Sequence, residues 1–262
     1  MGDKSAIEWT DATWNPWQGC HKVSPGCKFC YMYREKKQYG QDPAVVIRSK
    51  PHTFNLPLRL KAPARVFTCS WSDFFIEEAD GWRLDAWDII ERTPHLTYQI
   101  LTKRPERFRA GLPFWWWLQQ KPPMPNVHLG VSVEDQATAD ERIPLLLQTP
   151  TAVRWISYEP ALGPVDLRPF LWKIDDLAGD VRVDWVVIGG ESGPGARPFD
   201  LAWARSAIAQ CRAAGVPVFV KQLGAQPFYR IPEGTAGLGL RDRKGGSMEE
   251  WPDDLRVREF PK

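Results

Sequence analysis

Short apolar runs recur along the chain, and polar residues and then a stretch of helical periodicity follow each of them. The runs are rich in β-branched and aromatic residues, which is typical of buried strands. They lie at residues 65–69, 97–101, 127–133, 153–157, 185–188 and 216–220. We also consider a first strand that ends just before Cys20. The pattern therefore predicts six to seven strands.

Helical stretches separate these strands. They lie at residues 31–40, 82–92, 137–147 and 201–214, and Gly215 is a typical stop for the last one. Continuous apolar strands that alternate with helices favour a parallel sheet covered on both faces. No glycine-rich dinucleotide-binding sequence begins any of the helices, which weakens the case for a doubly wound sheet. We therefore predict an α/β fold, a partial or complete (β/α) TIM-like barrel of six to seven parallel strands.

The length and composition are those of a globular protein. The chain has 262 residues, of which 43% are apolar and 25% are charged, so a wholly disordered chain is excluded. No apolar run approaches the roughly 18 residues that a membrane helix needs. The first fifteen residues lack the basic and then apolar order of a secretion signal. We therefore expect a soluble, cytoplasmic protein with no membrane segment.

Positive charge is concentrated in one stretch of the chain. The net charge of +2 is too small to indicate a nucleic-acid-binding protein by itself. Between Arg34 and Arg65, however, there are eight basic residues and two acidic ones. This stretch has two interpretations, a surface that contacts phosphates and an ordinary solvated surface.

Three of the five cysteines lie close together. Cys20, Cys27 and Cys30 form a Cys-x6-Cys-x2-Cys pattern, with a turn predicted at Ser24-Pro25-Gly26. An odd number of cysteines argues against a disulfide framework. The pattern has three interpretations: a zinc site with His21 as fourth ligand, an iron–sulfur cluster with one open iron, and unrelated thiols. Three ligands without an obvious fourth favour the iron–sulfur cluster.

Polar residues follow most of the predicted strands, and in barrels the carboxyl ends of strands carry the chemistry. Lys103, Glu159, Glu191 and Lys221 are hard to explain as helix caps. Together they predict a mixed-charge cavity that suits a polar, zwitterionic small molecule. Cys69, at a strand end, is a candidate hydrogen-atom donor, although an inert core thiol is the commoner role.

Several segments resemble, in order, those of a phage-associated radical-SAM-like family with a three-cysteine motif, the phage gene-product 37/68 family. They are IEWTDATWNPWQGCHKVSPGCKFCYM, SWSDFF, LTKRPER, NVHLGVSVEDQATADERIP, SYEPALGPVDL, GGESGPGARP and VPVFVKQLG. The resemblance runs from about Ile7 to Gly224. It implies a barrel of the radical SAM type at residues 1–224, followed by a C-terminal extension at residues 225–262. The strand arrangement is also similar to that of spore photoproduct lyase, which repairs DNA.

The resemblance implies a 4Fe-4S cluster on Cys20, Cys27 and Cys30, with S-adenosylmethionine (SAM) bound at the open iron. Phe29 matches the aromatic position that such enzymes have before the last cysteine. The first gap of six residues departs from their usual Cys-x3-Cys-x2-Cys spacing. An electron from an external donor would cleave SAM to methionine and a 5′-deoxyadenosyl radical.

Strand order and charge then assign the remaining roles. Ser70, Ser72 and Asp73 would lie near the methionine amino group of SAM, and Lys103 near its carboxylate. Ser132 and Glu134 would bind the ribose hydroxyls. The candidate catalytic residues, which would face the substrate, are Glu159, Glu191, Lys221 and Cys69.

We therefore expect a radical SAM enzyme that acts on nucleic acid or a nucleotide, in modification or repair. The resemblance also suggests a three-Cys-motif partner protein. One alternative is a non-catalytic zinc or iron–sulfur protein that binds nucleic acid or a partner. Another is a barrel enzyme whose cluster is structural and whose catalysis depends on Glu159, Glu191 and Lys221.

Overall fold

The computed structural model describes residues 5–117, 123–172, 174–176 and 179–261. The strands in this part of the chain are β1 (Ala12–Trp14), β2 (Trp17–Gln18), β3 (Ile47–Arg48), β4 (Ala64–Thr68), β5 (Leu96–Thr102), β6 (Val127–Val133), β7 (Val153–Tyr158), β8 (Ile174–Asp176), β9 (Gly179–Val181), β10 (Trp185–Gly189), β11 (Phe199–Asp200), β12 (Val218–Gln222), β13 (Pro227–Ile231) and β14 (Gly234–Gly237). Each of the six predicted strands is present.

The helices of the same part of the chain include all four predicted ones. They are α1 (Tyr31–Gln38), α2 (Pro51–Phe54), α3 (Asp80–Arg92), α4 (Phe108–Gly111), α5 (Phe114–Trp117), α6 (Gln136–Leu147), α7 (Arg168–Leu171) and α8 (Leu201–Ala214). Short 3-10 helices, among them Pro25–Cys27, add single turns. Among the residues described, no helix is both long enough and apolar enough to cross a membrane.

Seven strands form one sheet in the order β1-β4-β5-β6-β7-β10-β12. The pairs β1–β4, β4–β5, β5–β6, β7–β10 and β10–β12 are parallel. The order follows the chain without reversal, so the sheet lacks the switch point of a doubly wound fold. The α/β class and the parallel sheet of seven strands are therefore confirmed, and the strand order is compatible with a partial barrel.

The first strand of this sheet lies earlier than the sequence predicted. β1 pairs with β4, whereas β2, which ends just before Cys20, pairs antiparallel with β3 in a separate two-stranded ribbon. Pro16 separates the two strands, and a proline cannot donate to a strand ladder. The segment before Cys20 thus leaves the main sheet before the cysteines begin.

Contacts divide the chain into two compact units. The first comprises Met1–Ser24, Cys30–Val131 and Gln148–Val153. Two tryptophans that precede Cys20 in the chain pack in its core. The ring centroids of Trp14 and Tyr98 are 5.7 Å apart, and those of Trp17 and Phe74 are 5.1 Å apart. The Trp17 indole N–H also donates to the Asp73 carbonyl at 3.0 Å, as buried indoles require a partner. These contacts fix the path of the chain immediately before Cys20.

The second unit comprises Pro25–Phe29, Ser132–Leu147 and Arg154–Lys262. Every residue of β10 is buried, as expected of a central parallel strand. Asp200 caps α8 by accepting the Ala202 N–H at 2.9 Å, and Gly215 ends the helix in the left-handed conformation at φ +63°. The predicted boundary between residues 224 and 225 lies within this unit.

Candidate functional site

The cysteine loop, which we define as Gly19–Cys30, carries three partly exposed thiols, and none of them is in a disulfide. The predicted turn is a 3-10 helix that ends at Cys27, and Cys30 immediately precedes α1. Such thiols have the right ligand chemistry for iron or zinc. Among the residues described, however, no group of three His, Cys, Asp or Glu side chains is arranged to hold a metal ion. The thiols are suitable ligands for a metal ion, and their role as ligands stays a prediction.

Gly19 lets the chain turn into this loop where no other residue fits. Its φ is +96°, and an added Cβ would lie 2.2 Å from the Val45 carbonyl oxygen. The Gly19 N–H donates to the Trp71 carbonyl at 3.0 Å. Its own carbonyl accepts from the Ser72 hydroxyl at 2.5 Å. Ser72, a predicted SAM-binding residue, therefore holds the loop backbone in this structure.

Cys20 is held through its backbone as well. Its N–H donates to the Pro43 carbonyl at 3.0 Å, and its carbonyl accepts from the Tyr33 hydroxyl of α1. The adjacent His21 ring nitrogen Nε2 lies 2.5 Å from Oε1 of Glu78. The candidate fourth ligand of the zinc interpretation is thus already engaged by a carboxylate.

Asp73, which follows β4, accepts hydrogen bonds at both carboxylate oxygens. Oδ1 accepts from the Phe75 N–H at 2.9 Å and from the Thr102 hydroxyl at 2.7 Å. Oδ2 accepts from the Lys103 N–H at 2.9 Å and lies 3.3 Å from Nη1 of Arg104. A carboxylate has about four acceptor positions, so this one is filled by the protein. Its predicted role toward SAM stays a prediction.

Arg104 is a residue of this region that the sequence did not single out. Its side chain is buried beside Asp73, and its guanidinium also reaches the cysteine loop, with Nη1 3.8 Å from Cys20 Sγ and Nη2 2.9 Å from the His21 carbonyl oxygen. Burial opposes its charge, but Asp73 and Cys20 outweigh burial, so the pKa of Arg104 is raised. The sequence showed Lys103 and Arg104 side by side after a strand and favoured Lys103, whose predicted role toward the SAM carboxylate stays a prediction.

Ser70 and Cys69 lie at the same strand end. The Ser70 hydroxyl bonds to the Asn15 amide at 3.0 Å, and its carbonyl accepts from the Tyr31 hydroxyl at 2.5 Å. Cys69 is buried and has a left-handed φ of +58°, which is unusual for a residue other than glycine. Burial, with a smaller effect from Asp73, raises the pKa of the Cys69 thiol well above its usual range. Cys69 therefore keeps its proton at neutral pH.

In the second unit, the Glu134 carboxylate contacts the cysteine loop. The side chain is fully buried, and Oε2 accepts the Gly26 N–H at 2.8 Å while Oε1 lies 3.5 Å from Nη1 of Arg142. The same Arg142 nitrogen donates to the Ser132 carbonyl at 2.8 Å. An added Cβ on Gly26 would lie 2.4 Å from Glu134 Cδ. Glu134 thus bonds directly to this loop segment, whereas Ser132 accepts from Arg142 through its backbone carbonyl. Their predicted role toward the ribose of SAM stays a prediction.

Glu191 reaches the loop through Arg197, which the sequence did not single out. The pair is bidentate, with Arg197 Nη2 2.6 Å from Glu191 Oε1 and Nε 2.9 Å from Oε2. Arg197 Nη1 donates to the Pro25 carbonyl at 3.0 Å, and the guanidinium lies over the Phe29 ring at 5.5 Å. Phe29, predicted from the resemblance, is therefore an anchor of the loop in this unit.

Glu159 and Lys221 come together as an ion pair at the ends of β7 and β12. Lys221 Nζ lies 2.6 Å from Glu159 Oε1, and each side chain is 18% exposed. The Gln222 side-chain amide donates to the same oxygen at 3.3 Å and to the Gly190 carbonyl at 2.9 Å. The structure thus places these two candidate catalytic residues together in a partly accessible polar cluster. Their catalytic role stays a prediction.

Comparison with known proteins gives one result. A family model described as "Protein of unknown function (DUF5131)" matches residues 4–251. No curated protein and no solved structure matches the chain. The resemblance to the phage-associated radical-SAM-like family therefore stays a prediction. Because the match covers most of the chain, this protein belongs to the DUF5131 family of proteins of unknown function.

Proposed function

We propose that this chain is a radical SAM enzyme that binds a 4Fe-4S cluster through Cys20, Cys27 and Cys30 and acts on nucleic acid or a nucleotide. The observation that carries the proposal is how the cysteine loop is held. In the first unit, Ser72 and Arg104, which follow β4 and β5, bond to its first residues. Parallel α/β folds carry their chemistry at these carboxyl ends of strands.

The second unit supports the proposal in the same way. Glu134 follows β6 and accepts the Gly26 N–H, and Arg197, which lies beyond β10, donates to the Pro25 carbonyl. Within this unit too, residues beyond the carboxyl ends of strands bind the loop. In each unit, side chains that follow strands thus bond to the part of the cysteine loop that lies in that unit, and the three cysteines of the loop are partly exposed.

Three thiolates leave one iron of a cluster open, and the chemistry that such a centre supplies is the one-electron cleavage of SAM to a 5′-deoxyadenosyl radical. The chain's own residues would do the positioning. The Glu159–Lys221 pair offers both a hydrogen-bond acceptor and a donor at a partly exposed position, and a polar substrate can replace either partner. Cys69, protonated and buried, holds a hydrogen atom rather than a thiolate charge.

The nucleic-acid part of the proposal depends on the basic stretch from Arg34 to Arg65. Six of its eight basic side chains are exposed, namely Arg34, Lys37, Arg48, Lys50, Arg59 and Lys61. Lys36 is buried, and Arg65 pairs with Asp11 at 2.9 Å. Arg48 is exposed but pairs with Asp85 at 2.7 Å. Exposed cations in one stretch of the chain favour contact with phosphates, because binding them releases counterions from the nucleic acid.

The test is electron paramagnetic resonance on anaerobically reconstituted and reduced protein, with and without SAM. We expect a cluster signal that shifts when SAM is added, and 5′-deoxyadenosine among the products. Cys27→Ala should abolish both. The matched control is Cys211→Ala, which removes a buried thiol of α8 and should leave the signal intact.

Each other outcome contradicts part of the proposal. A cluster signal that does not respond to SAM favours a structural cluster. Zinc in place of iron, at one atom per chain, favours a non-catalytic binding protein and refutes the radical mechanism. Normal SAM cleavage by Cys27→Ala refutes the assignment of the ligands.

A further inference from the structure

A buried ion pair next to a cysteine needs an explanation. The side chains of Arg104 and Asp73 are 9% and 6% exposed, and their charged atoms lie 3.3 Å apart. Moving two charges out of water costs more than their attraction returns unless further hydrogen bonds complete both groups. For Asp73, those bonds come from Phe75, Thr102 and Lys103. These hydrogen bonds hold the Asp73 carboxylate in one orientation within the first unit.

The guanidinium that pairs with Asp73 also bonds to the cysteine loop. Nη1 lies 3.8 Å from Cys20 Sγ, and Nη2 lies 2.9 Å from the His21 carbonyl oxygen. The residues that follow, Lys22 and Val23, are exposed. Arg104 thus links the buried Asp73 carboxylate to the loop backbone just before these exposed residues. A lysine cannot replace it, because a single ammonium lacks the planar fork that reaches Asp73, Cys20 and His21 together.

We propose that Arg104 is a positioning residue for Cys20: oriented by Asp73, it holds the Cys20–His21 segment in place for metal binding and presents a positive charge and an N–H donor to the cysteine sulfur. The second effect raises the reduction potential of the metal centre, because hydrogen bonds and charge near cluster sulfurs control that potential. The positioning of the Cys20–His21 segment is a property of the protein without metal. The effect on the reduction potential rests on the proposed function.

The first experiment uses the metal-free full-length protein and trypsin, and it follows cleavage after Lys22 by mass spectrometry. Proteolysis of this kind reports the population of the opened loop. Loss of hydrogen bonds from a charged group should raise cleavage in Arg104→Gln about tenfold or more over the wild type. The matched control is Arg107→Gln, which removes another ion-paired arginine that donates to Phe75 and Asp80 and does not bond to the loop.

Two outcomes of this experiment overturn the proposal. One is unchanged cleavage after Lys22 in Arg104→Gln. The other is an equal increase in Arg107→Gln, which would mean that general destabilisation, and not the bond to the loop, exposes Lys22. Thermal unfolding of both variants is measured alongside, and Arg104→Lys provides a second variant if Arg104→Gln does not fold.

The second experiment measures iron retention against a chelator and the midpoint potential of the reconstituted protein. Loss of a supporting residue typically weakens metal binding by about 10- to 100-fold. We expect Arg104→Gln to retain iron more weakly and to have a lower midpoint potential. Arg104→Lys keeps the charge, so it should restore most of the potential but not the resistance to trypsin. An unchanged potential in Arg104→Gln overturns the electrostatic part.

The two experiments separate the possible failures. If the wild type binds no iron, the proposed function and the electrostatic part are refuted together. The positioning of Cys20 by Arg104 is then still decided by the trypsin result on the metal-free protein.

Discussion

Replacing Gly26 by alanine tests the support of the cysteine loop in the second unit. The added Cβ would lie 2.4 Å from Cδ and Oε1 of Glu134, closer than real Cβ contacts allow. Glu134 cannot swing into water, because its side chain is fully buried and Arg142 lies 3.5 Å from its carboxylate. The φ of Gly26 is not in the left-handed region, so its backbone accepts alanine without strain. The whole cost of the substitution therefore comes from this one contact.

The size of the cost follows from the two ways in which the clash can be relieved. If the neighbours shift around the new methyl group, overpacking costs about 1–3 kcal/mol. If the carboxylate moves instead, the 2.8 Å bond from the Gly26 N–H is lost, and a hydrogen bond to a charged group is worth about 1.5–3 kcal/mol. The clash is relieved in whichever way costs less free energy, so we expect Gly26→Ala to lower the free energy of unfolding by about 2 kcal/mol.

The assay is urea unfolding of the wild type, Gly26→Ala, Glu134→Ala and the double variant. Glu134→Ala removes the clashing carboxylate, so adding Gly26→Ala to it should cost little, and the double-mutant cycle subtracts the separate cost of leaving Arg142 unpaired. The matched control is Gly81→Ala in α3, where an added Cβ meets nothing within 4 Å. The reasoning is refuted if Gly26→Ala unfolds like the wild type, or if its cost is the same when Glu134 is absent.

Two further predictions concern acid stability and nucleic-acid binding. Burial lowers the pKa of His128 from 6.5 to about 4, so the unfolded chain takes up a proton that the folded chain does not, and stability should fall by up to about 3 kcal/mol as the pH falls from 6.5 to 4. His128→Leu should flatten that fall in urea unfolding at several pH values, and an equal fall in both proteins would contradict the assignment. Reversing charge at Lys50, Arg59 and Lys61 should weaken binding of single-stranded nucleic acid and lower the slope of log K against log salt by roughly two. The control is charge reversal at three exposed arginines elsewhere, Arg212, Arg241 and Arg243. Equal losses of nucleic-acid affinity in the two variants would contradict the nucleic-acid assignment.

The core strands were predictable because burial on both faces demands continuous apolar sequence. β6 lies at Val127–Val133, as predicted, and every residue of β10 is buried. Strand ends were less predictable wherever polar residues continue the strand. β12 runs on to Gln222, whereas the apolar run ends at Val220. The polar end of the strand is held by contacts to Glu159, which hydrophobicity alone does not reveal.

The same limit applies to the candidate site. Sequence reasoning selected charged residues at strand ends, and Glu159 and Lys221 do come together. It did not select Arg104 or Arg197, which bond directly to the cysteine loop. Arg197 is 172 positions from Pro25 along the chain, so no local pattern marks the pair. Only a signal for contacts between distant positions could have found it.

The sequence by itself determined the alternation of strands and helices, the spacing of the three cysteines and the glycines at the start and turn of their loop. These properties depend on burial, turn geometry and ligand type, which act over a few neighbouring residues. Only the tertiary structure decided which charges are neutralised inside the protein. The sequence predicted Asp73 and Glu134 as SAM-binding residues and Glu191 as a catalytic residue, and in the fold each is paired with an arginine. Ion pairs depend on distances between residues far apart in the chain, and packing sets those distances.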